Sequence, residues 1–184
     1  MTSGDQNIDN IIDGCKNDDR MAQEQFYRKF YRAMMTLCLR YTKNKGDALE
    51  VLNTGFYKVF KNMAKYDPSK SSIYTWIRTI IINSCLDFIK GKESQVESRQ
   101  ADDATSVDLS PDIIAKMSAN EILQLVRQLS PATQAVFNLY VIEGYNHNEI
   151  AVLMKISPGT SKWHLSEARK KLQRMINEQQ RVNE

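Results

Sequence analysis

Residues 146–176 read NHNEIAVLMKISPGTSKWHLSEARKKLQRMI, and the grammar of this stretch decides the fold. Asn146 is a strong N-cap residue, and Glu149, three positions on, completes a variant of the capping box. A short helix over 147–154 follows, with the small Ala151 where a second helix can cross closely. Lys155, Ile156 and Ser157 form the turn; Ser157 is the next N-cap and Pro158 the first helical residue, where its missing N–H is no loss. The following helix carries Leu165, Ala168, Leu172 and Met175 or Ile176 at helical spacing. Two helices joined by a short turn, the second polar and basic, describe a helix-turn-helix. The competing description is an ordinary helical hairpin at the end of a bundle. The two successive caps and the run Arg169-Lys170-Lys171 with Arg174 favour the helix-turn-helix.

In such a unit the N-terminal half of the second helix enters the DNA major groove. Lys162, Trp163, His164 and Ser166 then face base edges or the adjoining backbone. Thr160, Lys170, Lys171 and Arg174 are placed for phosphates, which fix register without carrying sequence information. Two readings of Trp163 stand: packing on thymine methyls, or cover for the domain's own core. His164 is either a contact or an exposed helix residue.

Outward from this stretch the chain is helical as well. Phe26, Tyr27, Phe30, Tyr31, Met34, Leu37, Cys38 and Tyr41 trace one face of a helix over 23–41. A second helix after Asp47 carries Ala48, Val51, Leu52, Phe56, Val59, Phe60 and Met63, and Asp67-Pro68 breaks the pattern. A third, over 72–90, turns Ile73, Trp76, Ile77, Ile80, Ile81 and Phe88 inward, and a shorter helix over 8–15 covers one end. The first half thus reads as a bundle of about four helices. Residues 92–118 hold no aromatic residue and little periodicity, and most of them read as a linker. Periodicity returns at Ile122, Leu123, Leu125, Val126 and Leu129, stops at Ser130-Pro131, and resumes with Ala132, Ala135, Val136, Leu139 and Tyr140 as far as Gly144.

Composition bounds the function classes. Seven Gly and four Pro in 184 residues are too few for the turns of a sandwich or barrel. No apolar run approaches the ~18 residues of a membrane span, and the start has no basic segment of a signal peptide. Three cysteines without a CxxC pair argue against a disulfide framework or a thiolate zinc site, so a reduced, cytoplasmic protein without metal or cofactor is expected. Two histidines, no HExxH and no P-loop leave no constellation for an enzyme. The net charge of +3 divides unevenly. Residues 1–92 hold 15 Lys/Arg against 10 Asp/Glu, 93–118 hold 2 against 6, and 119–184 hold 8 against 6. Basic blocks flanking an acidic segment suggest nucleic-acid contact on the basic parts.

The run EIAVLMKISPGTSKWHLSEARKKL resembles the C-terminal domain of extracytoplasmic-function sigma factors, alternative subunits of bacterial RNA polymerase. DALEVLNTGFYKVFKNMAKYD and IYTWIRTIIINSCLDFIK resemble their core-binding and −10-binding helices, in the matching order. The resemblance covers roughly 20–92 and 119–176. It implies an all-α protein with a polymerase- and −10-binding bundle over 1–92, an acidic linker over 93–118, and a −35-binding helix-turn-helix over 119–184. It implies that Glu50, Asn53 and Thr54 dock on the β′ clamp of core RNA polymerase, where many relatives carry Gln-Glu in place of Asn53-Thr54. It further implies that Asn83 reads a flipped base of the −10 strand, beside a platform drawn from Tyr66, Lys70, Ser71, Tyr74, Trp76, Arg78 and Lys90. For Trp76 core packing is the competing role, and for Asn83 a surface amide. Many relatives carry Arg at the positions of His164 and Glu167, so the −35 preference is expected to differ. Implied partners are promoter DNA, the β′ clamp and β flap of the polymerase, and an anti-sigma factor at a membrane. A plain helix-turn-helix regulator explains 119–184 equally well but leaves 20–92 unexplained, and a pure interaction adaptor is the remaining rival.

The linker supports a calculation. Two DNA elements about 17 base pairs apart are separated by about 58 Å at ~3.4 Å per pair. A relaxed coil of the 26 residues over 93–118 spans about 25–31 Å, and its extended limit is near 88 Å. The linker is therefore expected to be extended on the promoter. Deleting about ten residues between Val96 and Asp108 should impair transcription from normally spaced promoters more than binding to core polymerase. Full-rate transcription by the shortened chain, measured in run-off assays, would show a slack linker.

Overall fold

The computed structural model of the chain describes residues 3–93 and 119–182, with side chains described over 8–91 and 121–178. Every regular element among the described residues is helical. The chain forms two compact units that divide within a helix, between Cys85 and Leu86. The linker expected over 93–118 lies outside the described residues from residue 94 on.

The first unit contains α1 (Ser3–Lys16), α2 (Arg20–Tyr41), α3 (Lys45–Lys61), a 3-10 turn (Met63–Lys65) and most of α4 (Ile73–Glu93). α1 is longer than its apolar residues suggested. The turn after it uses Asp18 at φ 55, and Asp19 then caps α2 by accepting from the Met21 amide at 3.0 Å. Asn44 caps α3 in the same way, accepting from the Asp47 amide at 2.8 Å. Phe26, Met34, Leu37 and Cys38 of α2 are buried with Ala48, Leu52, Phe56 and Val59 of α3 and Ile77 and Ile81 of α4. The ring of Phe26 lies 4.8 Å from Phe30, and Tyr27 lies 4.6 Å from Phe56, which ties α2 to α3.

α4 departs from the expected stripe. Trp76, Ile80 and Phe88 are half-buried, whereas Ile82, Cys85, Leu86 and Ile89, not expected inward, are buried. At about 100° per residue these positions and Ile77 and Ile81 span about half of the helix circumference. The buried face is broader than the expected stripe and rotated from it. All three cysteines are free and buried. Burial, reinforced by Asp19, pushes the Cys15 thiol up to about 11, and a hydrogen bond with Cys38 together with burial raises Cys85 well above the usual thiol range. Protonated, enclosed thiols of this kind are packing groups rather than nucleophiles.

The second unit contains the end of α4, then α5 (Ala119–Val126), α6 (Pro131–Phe137), α7 (His147–Met154) and α8 (Pro158–Val182). Leu125, Leu129, Val136, Leu139, Ile150, Ala151, Leu165, Ala168, Leu172 and Ile176 form its core. After α6 the chain continues through a π turn (Asn138–Ile142), closed by the Glu143 amide donating to the Asn138 carbonyl at 2.9 Å. A turn closed from i to i+5 takes up one residue more than an α turn, so the apolar stripe slips. Tyr140, expected inward, is consequently exposed, as are Val141 and Ile142. Gly144 ends the segment at φ 80, a conformation that a side chain resists.

Gly55 marks the tightest crossing in the first unit. A Cβ at this position would collide with Cδ1 of the fully buried Ile81, so α3 approaches α4 only because the side chain is missing. Gly55→Val is therefore expected to destabilise the first unit by about 1–3 kcal/mol, the usual cost of overpacking. A lower thermal midpoint for that unit, with the second unit's transition unmoved, is the measurable consequence.

Candidate nucleic-acid interface

The helix-turn-helix of the second unit is built as its sequence grammar requires. Asn146 Oδ1 accepts from the amides of Asn148 and Glu149 at 2.9 and 3.0 Å, and Glu149 Oε2 accepts from the Asn146 amide at 2.8 Å. Both limbs of the capping box are thus made. Lys155 ends α7 in the left-handed conformation, at φ 57. Ser157 Oγ then accepts from the Thr160 amide at 2.9 Å and pairs with the Thr160 hydroxyl at 2.8 Å. Thr160 is exposed, but its hydroxyl is engaged in the cap.

The buried face of α8 runs through Ser161, Leu165, Ala168, Leu172 and Ile176. Its register sorts the remaining candidates at ~100° per residue. Trp163, Ser166, Lys170 and Arg174 lie opposite the buried face and form the protruding ridge. Trp163, Ser166 and Lys170 are half-exposed there and Arg174 is exposed. Exposed Lys171 and Thr160 flank the ridge on one side; exposed Lys162 and half-exposed Arg169 flank it on the other. Of the two positions the sequence left open for Lys162, base edge or adjoining backbone, its register is that of a flank.

The chain's two histidines hold α8 in place, a role the sequence did not reveal. His164 is half-buried, and its Nδ1 lies 3.0 Å from the Thr133 hydroxyl at the start of α6. The Trp163 ring packs edge-on against it at 4.8 Å. His147, the first residue of α7, places Nδ1 2.9 Å from the buried hydroxyl of Ser161, and its ring stacks on Tyr140 at 4.6 Å. Burial lowers the pKa of His164, against an opposing pull from Glu167. Burial, with Lys162 and Arg169 as further causes, lowers that of His147. Both imidazoles are therefore neutral at physiological pH.

The −10 candidates separate into groups. Tyr66 is half-buried; its hydroxyl donates to the Ser71 carbonyl at 3.2 Å and its ring lies 5.4 Å from Trp76. Asp67 Oδ1 accepts from the Ser69 hydroxyl and amide at 2.7 and 3.0 Å, which holds the Asp67 carboxyl below its usual range. Exposed Lys70 approaches the same carboxylate at 3.6 Å, and Ser71 is half-buried. This bonding organises the turn between the 3-10 segment and α4. Half-buried Trp76, exposed Asn83 and half-buried Lys90 are seven residues apart and so share a stripe of α4. Exposed Tyr74 and half-buried Arg78 lie about half a turn away and do not join it. Lys90, in the part of α4 that belongs to the second unit, donates to the Leu153 carbonyl at 3.1 Å.

On α3, Glu50, Asn53 and Thr54 are all exposed, on one side of the helix. Sequence reasoning missed their neighbours. Leu49 and Tyr57 are exposed on the same stripe, Tyr57 with Lys61 Nζ 5.9 Å from its ring centroid. The Tyr27 hydroxyl donates to Asn53 Oδ1 at 3.1 Å. The sequence signal for Leu49 and Tyr57 was a large apolar residue on the outer side of an amphipathic helix.

Family models describing Sigma-70 region 2 and Sigma-70 region 4 match residues 26–95 and 119–172, together well over half of the chain. The chain belongs to the sigma-70 family, and is a transcription initiation factor rather than an enzyme. Its relatives place it with the extracytoplasmic-function sigma factors. It is 26% identical over 161 residues to the RNA polymerase sigma factor CarQ of Myxococcus xanthus, covering 85% of this chain and 92% of that one. It is 22% identical over 160 residues to the ECF sigma factor SigM of Mycobacterium tuberculosis, covering 86% and 79%. Among solved structures, the sigma factor RpoE from Bartonella quintana, determined with the anti-sigma factor NepR, shares the fold at TM-score 0.53. That match has 14% identity and covers 84% of this chain and 96% of that one. Among the described residues no helix is long and apolar enough to cross a membrane, and no group of side chains is suited to hold a metal ion.

Asn146 carries two amide bonds that no other side chain replaces at the start of α7. Asn146→Ala should cost about 1–2 kcal/mol locally. Amide hydrogen exchange in α7 is then expected to accelerate about 5- to 30-fold, with exchange in α2 and α3 unchanged.

Proposed function

We propose that the chain recruits core RNA polymerase through the outer stripe of α3, reads the −10 element through α4 and the turn before it, and reads the −35 element through α8. The observation that carries this reading is the division of α8 into a protruding ridge and two flanks, on a helix whose start is capped and whose inner face is buried. In the groove, Trp163 and Ser166 meet base edges, and Lys170 and Arg174 reach the backbone further along the ridge. Lys162 and Lys171, one on each flank, suit the phosphates on the two walls of the groove. His164 acts through its bond to Thr133 and orients Trp163.

For the −10 element, the Tyr66–Trp76 ring pair and Asn83 supply a stacking surface and an amide. Lys70 and Ser71 lie on the turn within reach of the strand's phosphates, and Lys90 extends the Trp76–Asn83 stripe. Tyr74 and Arg78 belong to a neighbouring side of α4. On α3, Glu50, Asn53 and Thr54, bracketed by Leu49 and Tyr57, form a polar strip with apolar ends that suits the β′ clamp. The second unit takes the β flap, and an anti-sigma factor, the kind of protein bound to the structural relative, holds the chain inactive. The site of action is the cytoplasm, with the polymerase.

In vitro transcription with core polymerase on a genomic library, followed by start-site mapping, tests the reading; absence of promoter-specific starts overturns it. On the promoters so found, Trp163→Ala should change the base preference within the −35 element. Lys170→Ala and Arg174→Ala should instead weaken all promoters by a common factor, each lowering the salt slope by about 1.

A further inference from the structure

His147 borders the site, and the functional reading leaves it without a task beyond packing. It begins α7, the first helix of the helix-turn-helix, and in that motif the first helix crosses the DNA backbone. Its ring is fixed on two sides: the face by Tyr140 at 4.6 Å and Nδ1 by the Ser161 hydroxyl at 2.9 Å. Ser161 is fully buried in the first turns of α8, and the next residue, Lys162, turns outward. Arg169, seven positions after Lys162, lies on the same flank. The ring is partly exposed, and both cations are near enough to oppose its protonation. A neutral imidazole carries a single N–H. A Ser161 hydroxyl that donates into Nδ1 leaves that hydrogen on Nε2, across the ring from the buried contact.

We propose that His147, Lys162 and Arg169 form a phosphate-binding site on the flank of α8, with His147 Nε2–H donating to a backbone oxygen of the DNA strand along that wall. The proposal rests on the reading of α8 as a groove-binding helix and adds a contact from α7. Ser161 and Tyr140 act as positioning residues: they fix the ring plane. The site recognises the phosphodiester and no base, so it sets how α8 lies in the groove without changing what the ridge reads. Because the ring is already ordered before DNA arrives, little side-chain entropy is lost in making the contact.

Two substitutions separate this role from a purely structural one. Asn at 147 keeps an acceptor at the position of Nδ1 and so keeps the bond to Ser161, but it has no donor at Nε2. Gln places an amide nitrogen near Nε2 and gives up the bond to Ser161. Binding of the full chain to a 20-base-pair duplex of random sequence at low salt is the measurement. His147→Asn is expected to weaken it about tenfold, as for loss of a hydrogen bond to a charged group, and His147→Gln, which keeps the donor but must order it on binding, by about threefold. Binding by His147→Asn equal to that of the parent chain, or equal losses in both variants, overturns the proposal. The unaltered chain provides a second reading through 15N-labelled histidine. Duplex should shift the His147 Nε2 resonance while leaving Nδ1 unprotonated. An Nδ1-protonated ring, or no shift at saturating duplex, overturns it as well. Neither measurement uses polymerase, so failure of the sigma-factor reading would register in transcription alone.

Discussion

The burial of Leu165, Ala168, Leu172 and Ile176 against α6 and α7 is the constraint on which the second unit depends. It decides which side of α8 is left outside, and therefore which side chains a groove can meet. Fully burying each of the three large aliphatic side chains contributes on the order of 1.5–3 kcal/mol, several times the worth of a single cap. Ala151 and Ala168 keep the helices close, since neither side chain extends past Cβ. The caps at Asn146 and Ser157 then determine where each helix begins, which fixes the phase of the exposed ridge along the helix axis.

Rotation about that axis is restrained further by polar contacts. His147–Ser161 joins α7 to α8, and His164–Thr133 joins α8 to α6, so the start of α8 is held from two neighbouring helices. The two bonds are about three residues apart on α8, one near its first turn and one a turn later. Neutral imidazoles suit this use, because a charged ring beside Lys162 and Arg169 would be repelled as well as desolvated. The basic side chains on the outside are free of that cost, being exposed or half-exposed.

The first unit solves a different problem. α3 must present a polar strip on one side while its other side packs on both α2 and α4. Gly55 permits the close approach to Ile81, and the Phe26–Phe30–Phe56–Phe60 cluster fills the space toward α2. Tyr27 lies at the boundary between the two roles. Its ring packs on Phe56, while its hydroxyl reaches round to Asn53. The side chain thereby connects the aromatic core to the polar strip.

The sequence by itself determined the helices, the caps at Asn146 and Ser157 and the existence of the two modules. Those are local properties: a 3.6-residue period, a side-chain oxygen two or three residues before an amide, a Pro that breaks a run. It also determined α7 and the start of α8 at the right residues, because Asn146, Ser157 and Pro158 act on their immediate neighbours. The tertiary structure alone decided how the side chains were shared between core and surface. The π turn moved Tyr140 outward, and packing turned Ile82, Leu86 and Ile89 of α4 inward. Lys162 was assigned to a flank by the buried face of α8, and Tyr74 and Arg78 were separated from Asn83 by the register of α4. His147, His164 and Tyr27 found partners 14, 31 and 26 residues away. Pairings over such distances depend on which helices are adjacent in space, and no local pattern records that.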